Sequence, residues 1–226
     1  MDQSFFVTGT DTEVGKTRVS AALLYGWRSR GLRVGAMKPV ASGCEQTPAG
    51  LRNDDAERLI AQSSDSPDYG EVNPYAFEPA IAPHIAAAEA GVEMDLGHVV
   101  RLARRRAAGV ERFLVEGVGG WEVPLTARES TADLAQRLGY PVVLVVGLRL
   151  GCINHALLTA EAVDRRGLRL AGWVANQIDP ACARREAIVE TLRNRIKAPC
   201  LGEVPWLEEP SPERVAACLQ PPDLLD

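Results

Sequence analysis

The sequence predicts a doubly wound α/β fold, a mostly parallel sheet with helices on both faces, on three observations. Six short runs rich in aliphatic and β-branched residues recur along the chain. Segments with apolar residues spaced near a helical period separate them. The strand-like runs are continuous rather than alternating, as expected where helices cover both faces of a sheet.

In order, "SFFVT" (4–8) is the first predicted strand, and a turn containing Gly and Thr leads from it into an amphipathic helix over roughly 16–30. "RVGAM" (33–37) is the second, ending at Lys38-Pro39. "RNDDAERLI" (52–60) opens a helix over 54–62, with Asn and Asp where a helix start favours them. Residues 63–93 are rich in Pro, Ser and acids and read as a long, mostly irregular excursion, which in a compact domain is functional or an insertion. A helix over 95–109 carries "RLARRR" (101–106), read as a solvated face. "RFLVEG" (112–117), helix 131–138, "PVVLVVG" (141–147), helix 152–166, "LAGWVAN" (170–176), helix 181–196, "APCLGEVP" (198–205) and helix 211–219 complete the alternation.

No repeat or linker divides the chain, so the 226 residues are expected to form one domain over 1–226. Hydrophobic residues make up 46% and charged residues 24%, an ordinary globular composition. The net charge of −5 argues against a nucleic-acid or anionic-membrane surface, which needs concentrated positive charge. Five scattered cysteines show no CxxC or Cys/His metal spacing. With no leader-like start and no apolar run of about 20 residues, the chain is expected to be soluble and cytoplasmic.

"GTDTEVGKT" (Gly9–Thr17) ends in the Gly-Lys-Thr of a nucleotide phosphate loop. Backbone N–H groups of such a loop and of the following helix point at phosphate, where the helix dipole favours negative charge. Gly15 permits close approach, Lys16 reaches the β- and γ-phosphates, and the Thr17 hydroxyl suits Mg²⁺. The spacing departs from G-x-x-x-x-G-K-[ST], because Thr10 occupies the first glycine position. A dinucleotide fold would instead need G-x-G-x-x-G at this turn.

Such a loop needs acids to hold its metal. Asn53, Asp54 and Asp55 open a helix, where cap chemistry alone accounts for them. Glu116 is sharper: it follows an apolar run at a strand's carboxyl end, the edge where open α/β sheets bind ligands. Buried there, it requires a cation. The chain has 25 Lys plus Arg, yet lysine occurs only at Lys16, Lys38 and Lys197. Lys38 also ends a strand, so it is placed to face the crevice of Lys16 and Glu116 and to neutralise charge on a transferring phosphoryl group or an anionic acceptor. His84, His98, His155 and Cys152 read as structural.

Together "VTGTDTEVGKT", "KPVASG", "TPAGLRNDDA", "NPYAF" with "APHIAA", "VEGVGGW", "VVGLRLGCINHALLT", "GWVANQI" and "LGEVPWL" resemble the dethiobiotin synthetase family, in its order and over nearly the whole chain. The resemblance implies a phosphate-loop NTPase-like fold and a homodimeric, ATP- and Mg²⁺-dependent ligase. Its substrates would be 7,8-diaminopelargonate and carbon dioxide (or bicarbonate), its intermediates a carbamate and a carbamic-phosphoric anhydride. By the same resemblance Glu13, Val14, Gly15, Lys16, Thr17, Arg18, Asp55, Glu116, Gly117, Val118 and Gly119 hold ATP, with Thr17, Asp55 and Glu116 around Mg²⁺. Asn176, Gln177, Pro205, Trp206 and Leu207 would read the adenine. Lys38, Lys16 and Thr12 would act at the reacting centre. Thr12, Lys38, Ser42 and Gly119 would contact the diamine end, and Gly151, Cys152 and Asn154 of the partner subunit would take the distant carboxylate. Two positions depart from the family pattern: Gln177 replaces an acid found in some relatives, and Ile188 stands near where a tyrosine often helps hold the carboxylate.

The leading alternative is a regulatory ATPase of the ParA/MinD type. Those switches carry a further lysine five residues before the loop lysine, and here that position is Asp11. A cobyrinate-type amidoligase would need a glutaminase domain for which 226 residues leave no room.

Overall fold

The computed structural model describes residues 4–222. In chain order the strands are β1 (Ser4–Gly9), β2 (Val34–Met37), β3 (Val40–Ser42), β4 (Glu45–Thr47), β5 (Gly50–Arg52), β6 (Tyr75–Phe77), β7 (Arg112–Glu116), β8 (Val142–Leu148), β9 (Leu170–Gln177) and β10 (Cys200–Val204). The helices are α1 (Lys16–Arg28), α2 (Asp54–Gln62), α3 (Tyr69–Val72), α4 (Pro83–Glu89), α5 (Leu96–Ala107), α6 (Thr131–Leu138), α7 (Cys152–Arg165), α8 (Arg185–Arg195) and α9 (Pro212–Ala216).

Six strands form one parallel sheet in the order β2-β7-β1-β8-β9-β10, so the chain leaves the centre in both directions and the fold is doubly wound. The continuous apolar runs have their physical reason in β1. Phe5 stacks on Trp27 of α1 with ring centroids 5.6 Å apart, while Phe6 on the opposite face meets the edge of Trp121 at 6.3 Å. All seven residues of β8 are buried, which only helices on both faces permit. α1, α2 and α9 contribute to the core with Phe5, and α4, α5 and α6 to the core with Phe6. α7 and α8 close the β8–β9 end through Ala156, Val189 and Leu192.

More than half of residues 63–93 lie outside regular elements, as their composition predicts, but the segment is not without structure. It holds α3, β6 and α4, and β6 pairs in parallel with β3 in a second, two-stranded sheet. Elements of four, three and seven residues are too short to display a period. β4 and β5 form an antiparallel hairpin that the sequence reading also passed over. "RLARRR" is not wholly a solvated face: Arg106 is buried, pairs with Asp65 at 3.0 Å and lies over the Phe113 ring. No helix among the described residues is long and apolar enough to cross a membrane.

Candidate active site

The site lies at the carboxyl edge of the sheet, where β1 is flanked by β7 on one side and β8 on the other. Register assembles it. Glu116 pairs with Val7, and Met37 pairs with Val115, so Lys38 emerges from β2 level with Glu116 at the end of β7. Lys38 Nζ stands 2.6 Å from Glu116 Oε1 and 2.9 Å from Asp55 Oδ2. Thr17 Oγ1 donates to the same Glu116 oxygen at 2.7 Å. Glu116 Oε2 is buried with no hydrogen-bond partner.

The helix-start residues divide their labour. Asn53 is the cap of α2, its Oδ1 accepting from the N–H groups of Asp55 at 3.1 Å and Ala56 at 3.3 Å. Asp54 faces solvent, and the Asp55 carboxylate is left to reach Lys38. Burial works against the charges of both Lys38 and Asp55. The mutual attraction of Lys38 with Glu116 and Asp55, with the hydrogen bonds it carries, outweighs this. It holds the ammonium above its ordinary range and the Asp55 carboxyl below its own.

The phosphate loop is built on strained backbone. Glu13 has φ +59° and Gly15 φ +88°, both in the left-handed region. A side chain at Gly15 would also meet Asn176: an added Cβ would lie 2.2 Å from its Nδ2. Asn176, wholly buried at the end of β9, uses that amide to hold the Val14 carbonyl from below at 2.8 Å. α1 starts at Lys16 with no side-chain cap, so the N–H groups of its first turn stay available to an anion. Lys16 Nζ donates to the Asp11 carbonyl at 3.0 Å, and the Asp11 carboxylate pairs with Arg149. Burial, and then the neighbouring charge of Lys38, lower the Lys16 ammonium to about 8, against the opposing pull of Glu116, Asp55 and Asp11. Two buried lysines are thus crowded together beside two carboxylates, an arrangement suited to gathering further negative charge.

A cleft of about 620 Å³ joins these parts. Thr12, Glu13, Gly15, Lys16, Thr17, Arg18, Lys38, Ser42, Asp55, Val118 and Gly119 all line it. Of the remaining loop residues, Val14 is buried beneath the loop, and the Gly117 carbonyl accepts from Lys38 Nζ at 3.4 Å. The Ser42 hydroxyl is buried and unpartnered. Residues 80–83 form a largely apolar wall, and Arg58 on α2 also lines the cleft, near enough for its charge to act on Arg18. Gly119, at φ +59°, brings its backbone close to Thr12.

The other predicted site residues lie apart from this lining. Gly151 caps α7 at φ +91°, with Cys152 and Asn154 following in the helix and Leu150 fully exposed before it. Ile188 packs in the same cluster as Cys152. Gln177 accepts from the Trp206 N–H at 3.3 Å and donates to the Asp179 carbonyl at 3.2 Å. Pro205 follows β10, Trp206 is about half exposed, and Leu207 packs into the core beneath α1. The sequence reading missed α3 and Asn73, which grip the backbone of Lys38. Their one signal was "NPYAF", a motif with no chemistry evident in its own residues.

A phosphate loop, a cluster of carboxylate and hydroxyl oxygens and a second lysine at the switch point of a doubly wound parallel sheet define a phosphate-loop nucleotide-binding protein. A family model described as an AAA domain matches residues 3–214. The chain is 59% identical over 217 residues to the ATP-dependent dethiobiotin synthetase BioD of Pseudomonas aeruginosa, covering 96% of this chain and 95% of the relative. It is 52% identical over 203 residues to the protein of the same name from Xanthomonas euvesicatoria, covering 90% and 91%. The chain belongs to the ATP-dependent dethiobiotin synthetase family. Among solved structures it resembles the septum site-determining protein MinD of Pyrococcus horikoshii, with TM-score 0.55 and 15% identity over 93% of this chain and 83% of that one. It also resembles the signal recognition particle receptor FtsY of Elizabethkingia anophelis, with TM-score 0.53 and 13% identity. That match spans 95% of this chain and 60% of the receptor chain. These two likenesses concern the fold alone. The ParA/MinD-type lysine position is Asp11, engaged with Arg149.

Proposed function

We propose that the protein carboxylates 7,8-diaminopelargonate with carbon dioxide and closes the product to dethiobiotin at the expense of ATP. The observation that carries this is Lys38. A nucleotide-binding scaffold needs the loop lysine, but not a second buried lysine beside it at the acid-lined end of the cleft. One amine of the diamine adds to carbon dioxide, losing a proton to give a carbamate. A carbamate oxygen attacks the γ-phosphorus, ADP departs, and a carbamic-phosphoric anhydride results. The neighbouring amine attacks the carbamoyl carbon, closing the cyclic urea and expelling phosphate.

The chain's own task is positioning and charge stabilisation. Lys16 and the loop N–H groups hold the phosphates, with Arg18 at the loop's outer side. Lys38 steadies the carbamate and its phosphorylated form, while Thr12, Ser42 and the Gly119 backbone contact the diamine end. The unpartnered Ser42 hydroxyl supports this assignment. Asn176, Gln177 and the segment Pro205–Leu207 serve the adenine.

The Thr17 hydroxyl and the Asp55 and Glu116 carboxylates form an all-oxygen donor set, and the buried, unpartnered Glu116 Oε2 lacks the partner a cation would provide. These residues fit Mg²⁺, which would supply charge neutralisation on the transferring phosphoryl group.

The protein acts as a homodimer in which Gly151, Cys152 and Asn154 of one subunit bind the carboxylate tail of substrate in the other. Their position outside the cleft of their own chain, with Leu150 and Leu158 exposed on the same segment, supports it. Five free cysteines support a cytoplasmic location.

Incubation with MgATP, bicarbonate and 7,8-diaminopelargonate should yield dethiobiotin by mass spectrometry. Phosphate release that is unchanged without the diamine, with no product, would overturn the assignment. Lys38→Arg should turn over slowly, because a planar fork cannot replace a compact ammonium between two carboxylates.

A further inference from the structure

Lys38 is a flexible side chain, and its usefulness at the reacting centre depends on where its root is held. The segment 69–75 holds it. Val72 accepts a hydrogen bond from the Lys38 N–H at 2.9 Å, and Asn73 Nδ2 donates to the Lys38 carbonyl at 2.7 Å. Both backbone groups of Lys38 are therefore taken by adjacent residues that lie 34 and 35 positions further along the chain. Asn73 is 3% exposed, so the amide serves this contact rather than solvent. The Asn73 carbonyl oxygen Oδ1 in turn accepts from Tyr69 Oη at 3.0 Å. The same hydroxyl accepts from the Asn53 N–H at 2.7 Å. Asn53 is the cap of α2, two residues before Asp55.

We infer that Tyr69 and Asn73 are positioning residues, a hydroxyl–amide relay that locks the backbone of Lys38 to the start of the helix carrying Asp55. The relay fixes the ammonium and one carboxylate relative to each other from behind, without touching substrate. Its members are braced in turn. The Arg52 guanidinium covers the Tyr69 ring at 4.1 Å from the centroid, and the Asn73 N–H donates to the Tyr69 carbonyl at 2.8 Å. Tyr69 Oη both donates and accepts here, so removing that one oxygen leaves the Asn53 N–H and the buried Asn73 Oδ1 without these partners. The inference rests on the reading that Lys38 and Asp55 act at phosphoryl transfer. It gives a role to part of the 63–93 segment, whose composition alone read as irregular.

The test is Tyr69→Phe, assayed for dethiobiotin formation well below its melting temperature. A misplaced Lys38–Asp55 pair should lower kcat about ten-fold, because small displacements at a reacting centre are costly. ADP affinity, set by the phosphate loop on α1, should stay within about two-fold of wild type. A merely structural tyrosine would lower the melting temperature and leave kcat alone, and kcat within about two-fold of wild type would overturn the inference. Asn73→Ser, which withdraws the amide donor from the Lys38 carbonyl but keeps Tyr69, should reproduce the kcat loss and decides the matter if Tyr69→Phe does not fold. A wild-type protein that makes no dethiobiotin overturns the function and this relay together. An active wild type matched by both variants overturns the relay alone.

Discussion

Lys38 and Glu116 stand 2.6 Å apart with their side chains 4% and 0% exposed, Lys38 directly after β2 and Glu116 the last residue of the adjacent strand β7. Parallel pairing of Met37 with Val115 makes this contact, since the next residue of each strand must emerge at the same level. Desolvating both charges is costly, and the hydrogen bonds that Thr17 donates to Glu116 and Lys38 donates to Asp55 offset part of that cost.

Lys38→Met should therefore destabilise the ligand-free protein by about 3–5 kcal/mol, because it strands the Glu116 charge in the interior. Adding Glu116→Gln removes that charge and should restore at least half of the loss. Urea unfolding of the single and double variants measures both. A single variant within about 1 kcal/mol of wild type would mean that water reaches Glu116 freely.

Gly15→Ala should keep the fold and abolish tight nucleotide binding. A non-glycine residue at φ +88° costs about 1–2 kcal/mol. The methyl group would in addition displace Asn176, which holds the Val14 carbonyl. ADP affinity should fall at least about ten-fold, read by calorimetry, while circular dichroism stays native. Asn176→Ala isolates the second effect: with Gly15 intact it removes only the support for Val14, so ADP binding should weaken there as well. Unchanged affinity in Gly15→Ala would show that the loop is not held in its left-handed form.

The central sheet was legible because its strands are buried on both faces and advertise themselves as unbroken apolar runs. The parts of the site carried by local pattern were legible too: the Gly15-Lys16-Thr17 turn, Glu116 after an apolar run, and Lys38 before a proline. Their meeting in one crevice followed from their places at strand ends, but the direct 2.6 Å pairing of Lys38 with Glu116 did not, since it is a property of strand register, which no local window contains. Cap chemistry and ligand chemistry favour the same residue types, so local pattern alone left Asn53, Asp54 and Asp55 undivided; the family resemblance pointed to Asp55, and the fold gives the cap to Asn53. Arg106 read as surface because helical spacing says nothing of the Asp65 carboxylate that meets it from a distant loop.

Asp133 offers a test through pH. It sits at the third position of α6 in a capping box, accepting from the Ser130 N–H at 2.7 Å while its other oxygen takes the Arg166 guanidinium at 2.6 Å. Burial alone would raise its pKa, but the Ser130 hydrogen bonds and the pairing with Arg166 outweigh burial and hold it below the ordinary 3.8. A carboxyl with a depressed folded-state pKa stabilises the fold above its unfolded value, and that stabilisation is lost as pH falls through the folded value. Asp133→Asn preserves the acceptor for Ser130 but not the charge facing Arg166 and the helix N-terminus. The variant should be about 1 kcal/mol less stable than wild type near pH 7. The gap should hold down to about pH 4 and narrow below it, as the wild-type carboxyl protonates. Urea midpoints of both proteins between pH 7 and pH 3 would show this, and a gap equally wide at both ends would mean that the amide fails sterically rather than for want of charge.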